Sequence, residues 1–315
     1  MLTTYTIAEL LQLKPPTWLI EHVIPEQGLV ALYGQPGDGK SFIALDMALA
    51  AASGMDWQGH PCQKSYVVYI SAEGGAGISK RVGAWLQHHH IEPVDYGYFL
   101  ANFVVSAVSI HPDSEDLASV LQQTVDHPEY KELIAGGLDP DEDTPPLLIV
   151  VDTLARCFTG DENQQEDMGL FIRGLDALRD SYQATVLVVH HTGKHGPEER
   201  GSSAFRGACD AMMLVTRDED KNIVLKCTKQ KDYEEFPEEI YSLVMMPKWN
   251  SCIVESLSRR KDELEQKIQE YLVSHPNASI RETAEALGQS KSTIHRAIMK
   301  IRSTCPKEVK TANDS

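Results

Sequence analysis

The chain has 315 residues, of which 42% are hydrophobic and 24% charged, and this balance predicts a folded protein with one sizeable core and room for a small second domain. The net charge of −17 argues against a surface that coats nucleic acid throughout, but from Leu257 onward 11 Lys and Arg stand against 8 Asp and Glu, so a duplex-binding face is expected at the C-terminal end. No apolar run approaches membrane-spanning length, and the first residues lack a basic region followed by an apolar one, which predicts a cytoplasmic protein without membrane contact.

After an N-terminal segment (residues 1–27), apolar runs of strand length alternate with helix-like segments. The runs are GLVALY (28–33), YVVYIS (66–71), LLIVV (147–151) and TVLVV (185–189), and helices are predicted over 41–53, 78–90 and 165–182. Continuous hydrophobic strands joined by helices predict a mainly parallel α/β sheet covered on both faces. The later runs AMMLVT, NIVLKC and YSLVMM predict an antiparallel extension.

The stretch between residues 101 and 146 has a weaker pattern. It contains the apolar run FVVSAVSI, a helix predicted over 114–127 and the acidic run AGGLDPDEDTPP, which is typical of an exposed loop.

A glycine-rich run, GQPGDGKS at residues 34–41, follows the first strand and precedes the first long helix, which is the context that a phosphate-binding loop requires. Backbone N–H groups at a helix N-terminus converge on phosphate, the lysine reaches the β- and γ-phosphates, and the serine hydroxyl ligates Mg²⁺. The sequence therefore predicts an ATP and Mg²⁺ site whose nucleotide contacts are Gly34, Gln35, Pro36, Gly37, Asp38, Gly39, Lys40, Ser41 and Phe42.

Two carboxylates follow strands of the predicted sheet. Asp152 ends LLIVVD, where it can hold Mg²⁺ through water, so the predicted metal residues are Ser41 and Asp152. Thr153, and not a second carboxylate, follows Asp152. Glu73 lies just past the strand YVVYIS, where the carboxyl end of a parallel strand brings it toward the same ligand site.

Five segments occur in the order seen in RecA-like ATPases of plasmids and phages: GLVALYGQPGDGKSFIALDMALAAASG, VVYISAEGGAGISKRVGAWL, LLIVVDTLAR, VLVVHHTGK and RGSSAFRGACDAMMLV. The chain resembles in particular the RepA-type hexameric replicative helicases of broad-host-range plasmids, over roughly residues 15–215. The resemblance implies a RecA-like P-loop fold, ATP hydrolysis with Mg²⁺, a ring of subunits and a single DNA strand in the ring channel.

The resemblance also implies roles for four side chains. Glu73 corresponds to the glutamate that polarises the attacking water, with a solvated loop residue as the alternative. His191 corresponds to the γ-phosphate sensor, with His190 packing beside it as a further predicted nucleotide contact, although histidines after a strand can be purely structural. Arg81 corresponds to a basic residue near the nucleotide, with an exposed helix arginine as the alternative.

The loop after the last parallel strand, HHTGKHGPEERGSSAFRG, is cationic and rich in glycine. Arg200 matches the position of the RepA-type arginine finger, which stabilises the γ-phosphate of a neighbouring subunit, and Arg206 is the rival position. Lys194 is a candidate contact for the DNA strand in the channel, with a solvated loop as the equal alternative.

The C-terminal region, residues 257–306, reads as a helical module followed by a tail at 307–315. An amphipathic helix carrying Leu264, Ile268, Tyr271 and Leu272 precedes a helix-turn-helix pattern with Ala284 and Leu287, Gly288 in the turn, Ser290 as the cap, and Ile294 and Ile298 buried. The exposed side of the second helix suits a recognition helix, with predicted DNA contacts at Lys291, Ser292, Thr293, Arg296 and Lys300, beside His295. The alternative is a small helical protein-interaction domain.

The sequence thus predicts a RecA-like ATPase core over residues 28–256 with a C-terminal helix-turn-helix. The favoured function is an ATP-driven DNA motor, a ring-forming and hexameric RepA-type 5′ to 3′ helicase of a plasmid, phage or mobile element. One alternative is an ATP-dependent DNA-binding regulator or recombination mediator that does not unwind DNA. Another is an ATPase switch whose helical tail binds a protein.

Overall fold

The computed structural model describes residues 4, 6–12, 17–73, 75–92, 101–112, 114–116, 119, 122, 146–192, 203–276 and 278–304. The chain divides into two compact units, Met1–Val254 and Glu255–Ser315. No helix among these described residues is long and apolar enough to cross a membrane.

The first unit is built on a sheet to which nine strands of the described residues contribute. The strands, including a separate N-terminal pair, are β1 (Trp18–Ile20), β2 (Ile24–Pro25), β3 (Leu29–Gly34), β4 (Tyr66–Ser71), β5 (Ala101–Val104), β6 (Leu147–Asp152), β7 (Ala184–His191), β8 (Ala211–Arg217), β9 (Ile223–Gln230), β10 (Glu239–Met246) and β11 (Ser251–Ser256). The helices are α1 (Ile7–Leu10), α2 (Lys40–Ser53), α3 (Gly75–His88), α4 (Leu154–Cys157), α5 (Gln165–Tyr182) and α6 (Ser203–Ala208), with a short 3₁₀ helix at Pro247–Trp249.

The strand order in the large sheet is β11-β10-β9-β8-β3-β7-β6-β4-β5. The strands from β8 to β5 pair in parallel, whereas β9 pairs antiparallel with both β8 and β10. The mainly parallel α/β fold with an antiparallel extension, predicted from the sequence, is therefore confirmed. The order also places the carboxyl ends of β3, β7, β6 and β4 side by side. We call this carboxyl-end side of the sheet its edge.

Alternation along the strands divides the core into two layers. In β3, Val30 and Leu32 belong to the apolar cluster that contains α2 and α3 residues such as Met47 and Trp85. Leu29, Ala31 and Tyr33 belong to the cluster with α5 and α6 residues. Because both faces of β3 are buried along its whole length, the strand reads in sequence as a continuous apolar run.

Residues 17–27 contribute to this core. Sequence analysis places them in an N-terminal segment (residues 1–27) ahead of the ATPase core. The strands β1 and β2 form a small antiparallel pair whose residues Leu19, Ile20 and Ile24 are fully buried in the α2 layer. The sequence pattern does not predict β1 or β2, because runs of three and two residues are too short to show a periodicity, and it also does not predict β11. The helix predicted over 114–127 and the acidic loop after it lie mostly outside the described residues.

The second unit contains three helices in its described part, α7 (Leu257–Ser274), α8 (Ile280–Ala286) and α9 (Lys291–Thr304). Ile268, Ala284, Ile294 and Ile298 are buried together, and Leu264, Leu272 and Leu287 pack against them. The predicted helix-turn-helix core is confirmed, except that Tyr271 stacks on His275, with ring centres 4.4 Å apart, instead of joining the buried cluster.

Candidate nucleotide site and helical module

The phosphate loop connects β3 directly to α2. Gly34 is the last residue of β3, and a Cβ atom there would lie 2.1 Å from the carbonyl oxygen of Val215 on β8, so only glycine fits this close approach. Gly39 precedes α2 with a φ of 103°, a conformation that side-chain-bearing residues rarely adopt. Within the loop, the Gln35 N–H donates to the Asp38 carboxylate at 2.8 Å. These contacts fix a tight turn at the N-terminus of α2, as the sequence motif predicts.

Lys40, the first residue of α2, folds back over the loop. Its Nζ donates to the carbonyl oxygens of Gly34 at 2.9 Å and Gln35 at 2.8 Å. Burial lowers the pKa of Lys40, and the negative charges of Asp38 and Asp152 act in the opposite direction. The ammonium group thus lies in the loop that would bind phosphate, with nearby carboxylates favouring its charged form.

Ser41 and Asp152 meet at the predicted metal position. The Ser41 hydroxyl donates to Oδ1 of Asp152 at 3.1 Å, and the buried Tyr69 hydroxyl donates to Oδ2 at 2.8 Å. Burial raises the pKa of Asp152, while the hydrogen bonds from Tyr69 and Ser41 lower it. A hydroxyl oxygen and a carboxylate are the hard oxygen ligands that Mg²⁺ prefers, so this pair fits the ion.

Glu73 lies two residues beyond β4, between side chains from two neighbouring strand ends. Its Oε1 is 3.5 Å from Nε of Arg156 on α4, and its Oε2 is 4.0 Å from Nε2 of His191 at the end of β7. Burial lowers the pKa of His191, and the charge of Lys40 lowers it further. The structure therefore brings Glu73, His191 and Lys40 to one edge of the sheet.

The two histidines of VVHH point to different environments. His190 is 1% exposed, and its ring meets Phe205 edge-on, with centres 5.8 Å apart. His191 keeps 24% of its side-chain surface exposed and faces Glu73. His191 is thus the residue of the pair that faces Glu73, whereas His190, also a predicted nucleotide contact, is buried against Phe205 in the core.

Several buried polar atoms at this edge have no hydrogen-bond partner among the described residues. They are Thr153 Oγ1, Thr192 Oγ1 and His191 Nδ1. The residues Asp152 and Thr153 are joined by a cis peptide bond. Buried polar atoms are normally paired, so these three atoms are available to bond a polar ligand.

Phe42 and Arg81 pack against each other beside the loop. The guanidinium carbon of Arg81 lies 4.6 Å from the centre of the Phe42 ring. The charge of Arg81 also lowers the pKa of Asp152, although burial outweighs it. The structure therefore places Arg81 near the site and on an aromatic neighbour rather than in solvent.

The arginine-finger candidates are only partly described. Arg206 lies on α6, and its Nη2 donates to the carbonyl oxygen of Thr228 on β9 at 3.3 Å. Arg200 and Lys194 lie outside the described residues.

Three residues of this region are not found by sequence analysis: Tyr69, Arg156 and Arg217. Arg217 ends β8, and its guanidinium donates to the carbonyl oxygens of Lys221 at 2.6 Å and of Gly37 in the phosphate loop at 3.4 Å. Tyr69 reaches Asp152 from 83 positions away in the chain. The contacts of Tyr69 with Asp152, of Arg156 with Glu73 and of Arg217 with Gly37 join segments distant in sequence, so no local pattern reveals them.

The helical module presents α9 as its basic helix. Ser290 caps it, with Oγ accepting from the Thr293 N–H at 3.2 Å, and Gly288 in the preceding turn has a φ of 63°. Lys291, Ser292, His295 and Arg296 are exposed. Thr293, by contrast, is half-buried, with its hydroxyl 2.8 Å from that of Ser290. Lys300 is exposed but forms an ion pair with Glu265 of α7 at 2.7 Å.

Comparison with known proteins matches both units. A family model described as an AAA domain matches residues 3–197, and a model described as a winged helix-turn-helix DNA-binding domain matches residues 261–300. A search of curated proteins found no match. The first model supports nucleotide binding and ATPase activity, and the second supports DNA binding.

Proposed function

This chain belongs to the AAA domain family, whose model covers more than half of it, and on that basis we propose that the protein hydrolyses ATP to act on DNA as a ring-forming helicase. The observation that carries the proposal is the meeting of Lys40, Asp152 and Glu73 at one sheet edge, in a chain that also contains a helix-turn-helix unit.

Each side chain at the edge has a distinct task. The backbone N–H groups of the loop and the Lys40 ammonium bind the phosphates, because both present positive charge at the start of α2. Ser41 and Asp152 would hold Mg²⁺, which supplies positive charge to the phosphate oxygens when bound. Glu73 orients the attacking water, and His191 contacts the γ-phosphate from the end of β7.

Helicase activity, rather than ATPase activity alone, is supported by the resemblance to RepA-type ring helicases. In such a ring, the site at the sheet edge is completed by an arginine from the neighbouring subunit. Arg200 and Arg206 are the candidates, and Arg206 lies on α6, where it donates to the Thr228 carbonyl oxygen. Lys194 is proposed to contact the strand in the ring channel.

A second function is favoured by the basic exposed side of α9. Lys291 and Arg296 on one helix of a helix-turn-helix suit a major groove, which a helicase acting on single strands does not need. The protein would then be a regulator that assembles on duplex DNA under the control of ATP, without unwinding it.

The deciding experiment is strand displacement on a forked duplex, with the oligomeric mass measured in the same buffer. A helicase displaces the labelled strand only with ATP and Mg²⁺ and assembles into a ring. Hydrolysis and duplex binding without displacement would favour the regulator, and a monomer that is fully active at every concentration would exclude the ring.

The neighbouring-subunit arginine has its own test. Arg200→Ala and Arg206→Ala should each keep nucleotide binding, and the variant that removes the finger should lose most hydrolysis. Mixing that variant with Lys40→Ala should restore activity, because some interfaces then combine an intact loop with an intact arginine. Absence of recovery in every mixture would place the arginine in its own site.

A further inference from the structure

The pair formed by Glu73 and Arg156 joins the ends of two adjacent strands. Glu73 follows β4, Arg156 lies on α4 after β6, and the Nε to Oε1 distance is 3.5 Å. The glutamate side chain is 40% exposed and that of the arginine 64% exposed. The pair therefore lies at the open edge of the sheet, beside the candidate phosphate site and not within the core.

The backbone around Glu73 is held without Arg156. The Ser71 hydroxyl donates to the Glu73 carbonyl oxygen at 3.2 Å, and the Ala72 N–H donates to the Asp152 carbonyl oxygen at 2.7 Å. The first turn of α4 is likewise closed by its own backbone, with the Arg156 N–H donating to the Thr153 carbonyl oxygen at 3.1 Å. The ion pair thus restrains only the direction of the two side chains.

Such an exposed ion pair contributes little to folding, since solvent screens it and two long side chains lose freedom. Its consequence is the orientation of the carboxylate. With Arg156 at Oε1 and His191 at Oε2, the two carboxylate oxygens of Glu73 face groups from two different strand ends. A carboxylate that must meet one water molecule gains rate from being held in one direction.

We propose that Arg156 is a positioning residue that orients Glu73 toward the attacking water, an inference that rests on the proposed ATP hydrolysis. The water oxygen forms the new bond to the γ-phosphorus, and the bond from that phosphorus to ADP breaks with its electron pair leaving on ADP. The water proton passes to the Glu73 carboxylate and then to solvent. Arg156 touches neither the water nor the phosphate in this step.

The test compares kcat and KM for ATP hydrolysis in Arg156→Ala, Arg156→Lys and a control, Arg173→Ala, which removes an exposed arginine of α5. Arg156→Ala should lower kcat roughly three- to tenfold with KM nearly unchanged, because ground-state binding is kept and only orientation is lost. Arg156→Lys should recover part of the rate, since it keeps the charge but not the Nε contact. The control should match the unmodified protein.

A double-mutant cycle separates positioning from a general structural effect. Glu73→Asp keeps a carboxylate but shortens its reach to Arg156, and it should retain a measurable rate. Adding Arg156→Ala to Glu73→Asp should then cost little more, because the ion pair is already broken. An equal loss in both backgrounds, an unchanged kcat in Arg156→Ala alone, or a raised KM would overturn the proposal.

The measurements also distinguish a wrong assignment of the ATPase function from a wrong positioning role of Arg156. If the unmodified protein does not hydrolyse ATP, or if Glu73→Gln keeps the full rate, then the ATPase or its base is assigned wrongly. If Glu73→Gln is inactive while Arg156→Ala is fully active, the function stands and the positioning role is wrong.

Discussion

The hydroxyl of Ser41 donates a 3.1 Å hydrogen bond to the carboxylate of Asp152, a residue 111 positions later in the chain. The bond joins the first turn of α2 to the carboxyl end of β6, across the intervening strand β7. Asp152 also accepts a hydrogen bond from the buried Tyr69 hydroxyl, so each of its two carboxylate oxygens accepts from a side-chain hydroxyl. The candidate metal position is therefore organised by three separate segments of the chain.

Two substitutions should separate binding from turnover at the site. Lys40→Ala should remove hydrolysis and weaken ATP binding, because the ammonium that meets the phosphates is removed. Glu73→Gln should keep ATP binding and lower kcat by about 10² to 10³, because the amide cannot accept the proton of the attacking water. Calorimetric ATP binding and steady-state hydrolysis measure the two effects, with Lys226→Ala on the exposed side of β9 as the matched lysine control. Near-normal turnover in Glu73→Gln would assign the base elsewhere.

Tyr69→Phe should impair the use of Mg²⁺ without touching the phosphate loop. The substitution removes the 2.8 Å hydrogen bond to Asp152 and so raises further the pKa of a carboxyl group that burial already raises. We expect the acidic limb of the pH–rate profile to move to higher pH, and the half-saturating Mg²⁺ concentration to rise as the pH is lowered. Tyr66→Phe, on the same strand, is the control, since the Asp152 bond comes from Tyr69. Identical Mg²⁺ titrations for Tyr69→Phe and the unmodified protein would contradict the assignment.

Asp46 should make stability fall as pH rises between about 4 and 6. It is 4% exposed and accepts from Trp57, Gln58 and Trp85 at 2.9, 2.9 and 2.8 Å, and burial raises its pKa to about 6. The folded-state pKa of Asp46 lies above the unfolded value near 3.9, so the folded protein holds the proton more tightly. The resulting contribution of Asp46 to the free energy of unfolding is fully present below pH 4 and is lost as pH rises through about 6, by about 3 kcal/mol.

Asp46→Asn should flatten this part of the stability profile, because the amide does not titrate. Urea unfolding at several pH values between about 4 and 7 measures the slope, and the exposed Asp56→Asn serves as the control. If Asp46→Asn and Asp56→Asn give the same slope as the unmodified protein, Asp46 is not the titrating group.

The exposed basic residues of α9 should contribute to duplex DNA affinity by different amounts. Lys291→Glu and Arg296→Glu should each weaken duplex binding and reduce the slope of log affinity against log salt by roughly 0.9 for each phosphate that the protein no longer neutralises. Lys300→Glu should have a smaller effect, because its ammonium lies 2.7 Å from Glu265. Lys267→Glu, exposed on α7, makes the same charge change away from α9. Equal effects of all four substitutions would indicate general electrostatics, and no effect would favour a protein-docking module.

The α/β fold, the phosphate loop and the helical module can be predicted from the order of residues alone, for a physical reason that is local in each case. Buried parallel strands must be apolar along their length, so β4 and β6 are located almost to the residue. The loop motif needs glycine at Gly39 because of its positive φ, and the core of the module follows helical spacing through Ile294 and Ile298. Such constraints act between near neighbours and are therefore visible in the sequence.

The meeting of side chains at the sheet edge becomes visible only in the folded chain. Tyr69 directs Asp152, Arg156 faces Glu73 and Arg217 reaches Gly37, in each case from a different segment. The ion pair of Lys300 with Glu265 is likewise a contact between two helices, which α9 by itself does not predict. These contacts depend on the order of strands in the sheet and on the direction of individual side chains. Strand order and side-chain direction follow from packing of the whole chain, which no local pattern specifies.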